Sequence, residues 1–230
     1  MLGLRSSTKN DSDGEVYIPR AVLQGLKFWI SRHLTTFILI MAMKSMLALM
    51  GSGLALGQTT FTGDILHGYP VISNLDIADV PANAISRYWI SAGQAQGGLD
   101  YHVPIFVARG TNSSLHTGRK LSLSASIHGD ELNGIQVVHR VFKNLGEMVS
   151  AGGLNGTIIG LPTMNPNGNI HNQRNFWTSS NNGFYYNLNR LMPGVSLEEG
   201  GDLASSYDYT IWNGIWGNTS NVDIAVDFRT

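Results

Sequence analysis

The sequence predicts an α/β fold, and three of its features lead to that prediction. The 230-residue chain holds 27 glycines and only 13% charged residues, which favours a sheet with many tight turns over a helical bundle. Apolar runs of strand length flank one long amphipathic segment between residues 119 and 162. A last apolar run, residues 221–228, predicts a further buried strand. This order of strand, helix, strand, long loop and strand is typical of an α/β sheet.

The composition excludes several classes of function. With 15 basic and 16 acidic residues the net charge is -1, so no overall field attracts nucleic acid or an acidic membrane surface. The chain has no cysteine, which excludes disulfides, cysteine zinc sites and a cysteine nucleophile. Any binding must therefore come from a local site.

The N-terminal extension, residues 1–57, carries a targeting signal pattern. Basic residues precede an apolar stretch over residues 35–57 that only Lys44 interrupts, which predicts a signal peptide or a signal anchor. Translation from Met43 would make residues 43–58 a compact secretory signal, whereas a buried core helix is the alternative. Three glycosylation sequons follow, at Asn112, Asn155 and Asn218. We therefore expect a secreted or membrane-anchored glycoprotein that meets a membrane only through this anchor.

The first part of residues 58–230, which we expect to form one domain, contains several predicted strands. Residues 68–93 alternate short extended pieces with a brief helical turn, and we expect them to precede the core sheet. Residues 101–110 and 119–129 are strand-like, and the polar segment between them predicts a hairpin or a short loop.

One long helix and one buried strand follow. From Glu131 onward, apolar residues recur every three or four positions and predict a helix that closes near Gly146. Residues 157–162 then form a continuous apolar run, which predicts a buried strand followed by a loop.

The strand that ends at His128 leads directly into a candidate metal site. His128 and Glu131 offer an imidazole nitrogen and a carboxylate oxygen, both common zinc ligands, on either side of a tight turn. Alpha/beta sheets bind ligands where a strand's carboxyl end opens into a helix. A His-x-x-Glu pair should arise by chance in roughly 0.15 chains of this composition, so the pair alone is a moderate signal at best.

Two arginine-bearing loops add to this site. Arg174 follows Asn165 by nine residues, and Asn189 stands beside Arg190 ahead of a Met-Pro-Gly turn. The planar guanidinium fork suits carboxylates and developing oxyanions. The alternative is that both arginines pair with surface acids and that the loops are simple turns.

Together the three motifs, "HGDELNG", "NPNGNIHNQR" and "NLNRLMPG", resemble those of the succinylglutamate desuccinylase/aspartoacylase family within the zinc carboxypeptidase-like superfamily. The resemblance covers about residues 101–230. It implies a mixed β-sheet flanked by helices, one zinc ion, and hydrolysis of an amide or ester bond near a carboxylate. The implied substrate is a small carboxylate-bearing acyl-amino acid or a peptide.

The resemblance also implies a role for each motif residue. His128 and Glu131 would bind the zinc ion, and Arg174 would polarise the scissile carbonyl and stabilise the oxyanion. Asn189 and Arg190 would hold the carboxylate of the substrate.

Three departures from the family pattern lower the expected activity. Asn187 replaces an Asp that we expect to support its loop, and Arg229 occupies the position of the third zinc ligand, a His. A guanidinium has no lone pair for a metal and repels it. We therefore expect zinc to bind poorly. The family's glutamate base would lie beyond residue 230, so we expect residues 58–230 to form a partial, C-terminally truncated domain. A metallocarboxypeptidase or a non-catalytic carboxylate-binding remnant are the alternatives.

Overall fold

The computed structural model describes residues 58–95, 98–178, 185–217 and 221–229. The predicted signal segment within residues 1–57 and the sequon at Asn218 lie outside the described residues. Within the described ranges, none of the helices combines the length and apolar character that a membrane crossing requires.

A seven-stranded mixed sheet forms the centre of the fold, as the resemblance implied. Its strands are β1 Thr60–Leu66, β2 Tyr69–Asn74, β3 Ala84–Gln94, β4 Asp100–Arg109, β5 Arg119–Ala125, β6 Gly156–Leu161 and β9 Ile224–Phe228. Their spatial order is β1-β2-β3-β4-β6-β5-β9. The β1/β2, β3/β4 and β4/β6 pairs are antiparallel, whereas β2/β3, β5/β6 and β5/β9 are parallel.

Helices and short strands occupy the connections. The described helices are α1 Ser114–Thr117, α2 Asn133–Ser150, α3 Pro166–Ile170 and α4 Leu203–Ile211. Two 3₁₀ turns, Ile77–Asp79 and Leu188–Arg190, and a π-helical turn, Trp212–Gly217, complete the helical elements. Strands β7, Phe176–Trp177, and β8, Tyr185–Tyr186, pair as a separate two-stranded sheet.

Apolar cores cover both faces of the large sheet. Successive residues of β4 alternate between them, because side chains of a strand point to opposite faces: Ile105 belongs to one core and Phe106 to the other. Helix α2 buries Val138 and Phe142 against the Phe106 side. Helix α4 buries Tyr207 and other apolar side chains against the Ile105 side.

The structure corrects several predictions about the strands. Residues 68–93 do not precede the sheet, because β2 and β3 are two of its strands. The segment 111–118 is no hairpin: it contains α1, and β6 lies between β4 and β5. The parallel β5-α2-β6 crossover places β6 beside β5, which leaves the other edge of β6 for β4.

The last strand also differs from its prediction. Strand β9 is the outermost of its sheet among the described residues, and Ile224 and Val226 are 51% and 40% exposed. Apolar composition indicated a strand correctly, but it does not specify whether that strand is central or at an edge.

Candidate active site

The loop between β5 and α2 is a tight turn that begins before His128. Strand β5 ends at Ala125 because the next residue, Ser126, has a φ of 56°, in the left-handed region. The Ser126 hydroxyl donates to the carbonyl of His128 over 3.1 Å, and the backbone N–H of Glu131 donates to the same oxygen over 3.1 Å. These bonds fold the loop so that the side chains of His128 and Glu131 come together.

His128 and Glu131 form a buried pair, on the tight turn from which their spacing predicts that both reach one ion. Nδ1 of His128 lies 2.9 Å from Oε1 of Glu131, and the two residues are only 1% and 8% exposed. The second carboxylate oxygen, Oε2, is buried and has no hydrogen-bond partner among the described residues. Buried carboxylate oxygens are normally satisfied, so this oxygen is available to a ligand.

Asn187 orients the imidazole of His128. Its Oδ1 lies 3.1 Å from Nε2 of His128 and also accepts the backbone N–H of Asn189 over 3.1 Å. Because this oxygen already acts as an acceptor, Nε2 is the nitrogen that donates. Asn187 therefore supports its loop, as expected, and in addition contacts the histidine directly.

The orientation of His128 creates an electrostatic requirement at its other nitrogen. With the proton on Nε2, the lone pair of Nδ1 faces the carboxylate of Glu131 at 2.9 Å. Two acceptors at that distance repel unless a proton or a cation lies between them. A second hydrogen bond that fixes the tautomer is the usual support of a metal-binding histidine.

Arg174 contacts the same carboxylate. Its Nη1 lies 3.2 Å from Oε1 of Glu131, and its side chain is 51% exposed. The loop that bears it is fixed to the turn, because the backbone N–H of Gly129 donates to the carbonyl of Arg174 over 3.1 Å. The partner of Arg174 is thus the buried acid of the site and not one at the surface.

Two asparagines hold the arginine loop in place. Asn165 caps α3 by accepting the N–H of Gly168 over 2.8 Å. Asn169 donates to the Ser126 hydroxyl over 2.8 Å and to the carbonyl of Gly129 over 2.6 Å. We did not predict Asn169 from the sequence; the density of asparagines in "NPNGNIHN" was the available signal.

Asn189 and Arg190 lie on the 3₁₀ turn that follows Asn187. Nη1 of Arg190 donates to the carbonyl of Asn189 over 3.1 Å, and the Arg190 side chain is exposed. The turn joins these two residues to His128 through Asn187, so the second and third motifs both reach the His128 pair.

Arg229, which the motif resemblance places at the position of a third metal ligand, is bound by neighbouring side chains. Its Nε donates to Oδ2 of Asp227 over 2.6 Å, and its Nη2 donates to Oδ1 of Asn189 over 2.8 Å. Asp227 is fixed in turn by the hydroxyl of Ser124, which donates to Oδ1 over 3.0 Å. The guanidinium therefore has defined partners at the edge of the candidate site.

The described residues fit a zinc ion only in part. His128 and Glu131 place an imidazole nitrogen and a carboxylate oxygen, both common zinc donors, 2.9 Å apart. Within the described ranges, however, no group of three or more His, Cys, Asp or Glu side chains is placed to hold a metal. His139 and His171 do not complete the site: His139 packs on Phe106 and His171 on Trp177.

Comparison with known proteins supports the family resemblance. Residues 117–228 match the model of the succinylglutamate desuccinylase/aspartoacylase catalytic domain. No curated protein sequence matches the chain.

Solved structures share the fold. The chain is similar to the crystal structure of an aspartoacylase family protein from Mesorhizobium loti, with a TM-score of 0.52 and 22% identity over 75% of this chain and 44% of that one. It is also similar to a succinylglutamate desuccinylase/aspartoacylase from Rhodobacter sphaeroides, with a TM-score of 0.50 and 21% identity over 68% of this chain and 43% of that one.

The chain thus spans less than half the length of either of these relatives. The resemblance predicted from the three motifs is confirmed: residues 117–228 match the model of the succinylglutamate desuccinylase/aspartoacylase catalytic domain, and the fold is a mixed α/β sheet.

Proposed function

We propose that this chain carries the metal-binding and carboxylate-binding part of a hydrolase that cleaves an amide or ester bond near a carboxylate. One observation above all supports the proposal: Nδ1 of His128 and Oε1 of Glu131 converge at 2.9 Å in a buried turn, with Oε2 of Glu131 unpartnered. The substrate class that best suits the family and the arginines is a small acyl-amino acid or peptide with a free carboxylate.

The proposed roles are metal binding, by His128 and Glu131, and stabilisation of negative charge, by Arg174. His128 and Glu131 would hold one zinc ion, and Asn187 keeps the imidazole in the orientation that directs Nδ1 toward Glu131. When bound, zinc supplies Lewis acidity and lowers the pKa of a bound water. Arg174 brings a positive charge beside the carboxylate of Glu131, where it also stabilises negative charge on a bound carbonyl.

The incomplete ligand set limits the expected activity. Catalytic zinc sites use three protein ligands and leave a fourth position open. His128 and Glu131 supply two, and the residue at the third position, Arg229, is a cation. We therefore propose weak zinc binding and low hydrolytic activity for this chain.

A second candidate function is carboxylate binding without catalysis. The contact between Arg229 and Asn189 favours it, because it adds a cation to the predicted substrate-binding residues. The arginine also stands where the resemblance implies a histidine ligand of the metal. Both candidate functions share Asn189 and Arg190, and metal binding separates them.

Zinc titration of the full chain tests the proposal. We expect one zinc ion per chain at saturation, measured by calorimetry and by metal analysis after dialysis against controlled free zinc. His128→Ala and Glu131→Gln should each remove this binding. His139→Ala is the matched control, because that histidine packs on Phe106 and not at the site.

The variants separate the outcomes. If all three variants bind zinc like the unchanged chain, the ion is held elsewhere and the proposed site is wrong. If the unchanged chain binds no zinc at all, the hydrolase proposal fails and carboxylate binding without catalysis remains.

A further inference from the structure

Two arginines converge on one uncharged residue beside the candidate site. Nη2 of Arg229 donates to the side-chain oxygen of Asn189 over 2.8 Å, and Nη1 of Arg190 donates to the backbone oxygen of the same residue over 3.1 Å. Both guanidinium groups therefore contact Asn189, and neither of these two contacts involves a carboxylate.

The charge of this pair is only partly balanced. Asp227 accepts from Nε of Arg229, but within the described part of the chain Arg190 forms no ion pair. A guanidinium carries five N–H donors, and each arginine uses only one or two of them in these contacts. Both side chains are accessible to solvent, Arg229 at 42%. The pair thus offers free donors and excess positive charge to an anion.

Hydrogen bonds fix the orientation of the Arg229 guanidinium. Arg229 follows β9, whose Asp227 pairs in register with Ser124 of β5 and accepts its hydroxyl over 3.0 Å. Asp227 then fixes Nε of the guanidinium over 2.6 Å. Because its orientation is set before a ligand arrives, Arg229 loses little conformational entropy on binding.

We propose that Arg229 and Arg190 together bind a carboxylate of the ligand. Arg229, at a position where the resemblance implies a metal ligand, would then bind an anion in this chain. The inference rests on the proposed function in one respect, since Asn189 and Arg190 are its substrate-binding residues. It requires no metal ion.

Succinate binding to the metal-free full chain tests this inference. We expect saturable binding by calorimetry in the presence of a chelator, and no binding of succinamide, the uncharged diamide of the same length. Arg229→Gln and Arg190→Gln should each weaken succinate binding by about tenfold, the order expected for the loss of one charge-assisted contact. Arg229→Lys should also weaken it, because an ammonium cannot reproduce the planar fork.

Arg140→Gln is the matched control. Arg140 is exposed on α2, and its loss changes the net charge equally, so succinate binding should stay within about twofold of the unchanged chain. Equal succinate affinity in Arg229→Gln, Arg229→Lys and the unchanged chain would overturn the inference, as would the absence of saturable succinate binding. Because the chelator removes metal, these results do not depend on the zinc titration.

Discussion

Nε2 of His128 lies 3.1 Å from the side-chain oxygen of Asn187, a residue 59 positions further along the chain. The same oxygen accepts the N–H of Asn189, whose own side chain accepts from Arg229. The contacts of Asn187 and Asn189 therefore connect the proposed metal-binding pair to the arginines. Asn187, which the motif comparison marked only as a departure from Asp, is the residue that joins the two regions.

Replacement of Asn187 should separate its two functions. Asn187→Leu leaves Nε2 of His128 and the N–H of Asn189 without an acceptor, so the free energy of unfolding should fall by about 1–3 kcal/mol. Asn187→Asp keeps the acceptor and adds a negative charge that strengthens the imidazole as a metal ligand, so zinc affinity should rise. Chemical denaturation and zinc titration measure the two effects. Equal stability of Asn187→Leu and the unchanged chain would contradict the assigned contacts.

Gly129 should tolerate no side chain. A Cβ atom there would lie 2.2 Å from the backbone carbon of Gly168 and 2.4 Å from the carbonyl oxygen of Gln173. Gly129→Ala should therefore destabilise the fold by about 1–3 kcal/mol and displace the arginine loop. Gly146→Ala is the control, because α2 has open space at that position and alanine should stabilise the helix by up to about 1 kcal/mol. Thermal unfolding of both variants checks the contrast, and a stable Gly129→Ala would show that the loops pack less closely.

Asp208 should make the protein less stable as pH rises. It is buried on α4, neither carboxyl oxygen has a hydrogen-bond partner among the described residues, and burial raises its pKa from 3.8 to about 8. Between these values the folded state holds a proton that the unfolded state has released, so the free energy of unfolding falls with rising pH. The fall is at most about 1.4 kcal/mol per pH unit and ends above the folded pKa.

Asp208→Asn isolates this effect. The amide cannot ionise, so the variant should lack this loss of stability between about pH 4 and 8 and should be the more stable protein at neutral pH. Denaturation curves of both proteins across that range give the difference directly. A parallel pH dependence in the two proteins would show that Asp208 is not protonated in the fold.

Arg229→His should restore a third metal ligand. We expect zinc to bind on the order of tenfold or more tightly in this variant than in the unchanged chain, since an imidazole replaces a cation at that position. Arg229→Gln controls for the loss of charge alone and should improve zinc binding far less. If the unchanged chain already binds zinc as tightly as Arg229→His, another residue completes the site.

Glycosylation should occur at Asn112 and Asn155 when the chain enters the secretory pathway, as we propose from residues 1–57. Both residues are exposed in the structure. Expression in a eukaryotic secretory host should give a product whose electrophoretic mobility rises after glycosidase treatment. Asn112→Gln and Asn155→Gln should each remove part of that change. If the untreated protein in the medium has the mobility of the unglycosylated chain, glycosylation does not occur. If the protein stays in the cytosol, residues 1–57 do not act as a signal.

Short sequence patterns predicted those features of the fold and the site whose residues are close together in the chain. The helical periodicity after Glu131 identified α2, although that helix continues past Gly146 to Ser150, and the apolar run before Pro162 identified β6. The His128 and Glu131 pair followed from spacing alone, because one turn sets their geometry.

Contacts between distant segments were not predictable in the same way. The position of β6 between β4 and β5 depends on which strand edges remain free after the crossover, and no short pattern records that. The contact of Arg229 with Asn189 spans 40 positions, and sequence reasoning assigned the arginine only a repulsive effect on zinc. Its observed partners depend on the register of β9 against β5.

Because β9 is at the edge of the sheet, the two parts of the candidate site should differ in local stability. Among the described strands β9 pairs only with β5, whereas β5 has neighbours on both sides. Edge segments with few partners open at lower free energy than the centre of a sheet and exchange their amide hydrogens sooner. Arg229 would therefore be released from Asn189 in rare openings that leave His128 and Glu131 in contact, so the edge strand, and not the turn that bears the pair, would be the first part of the network to open.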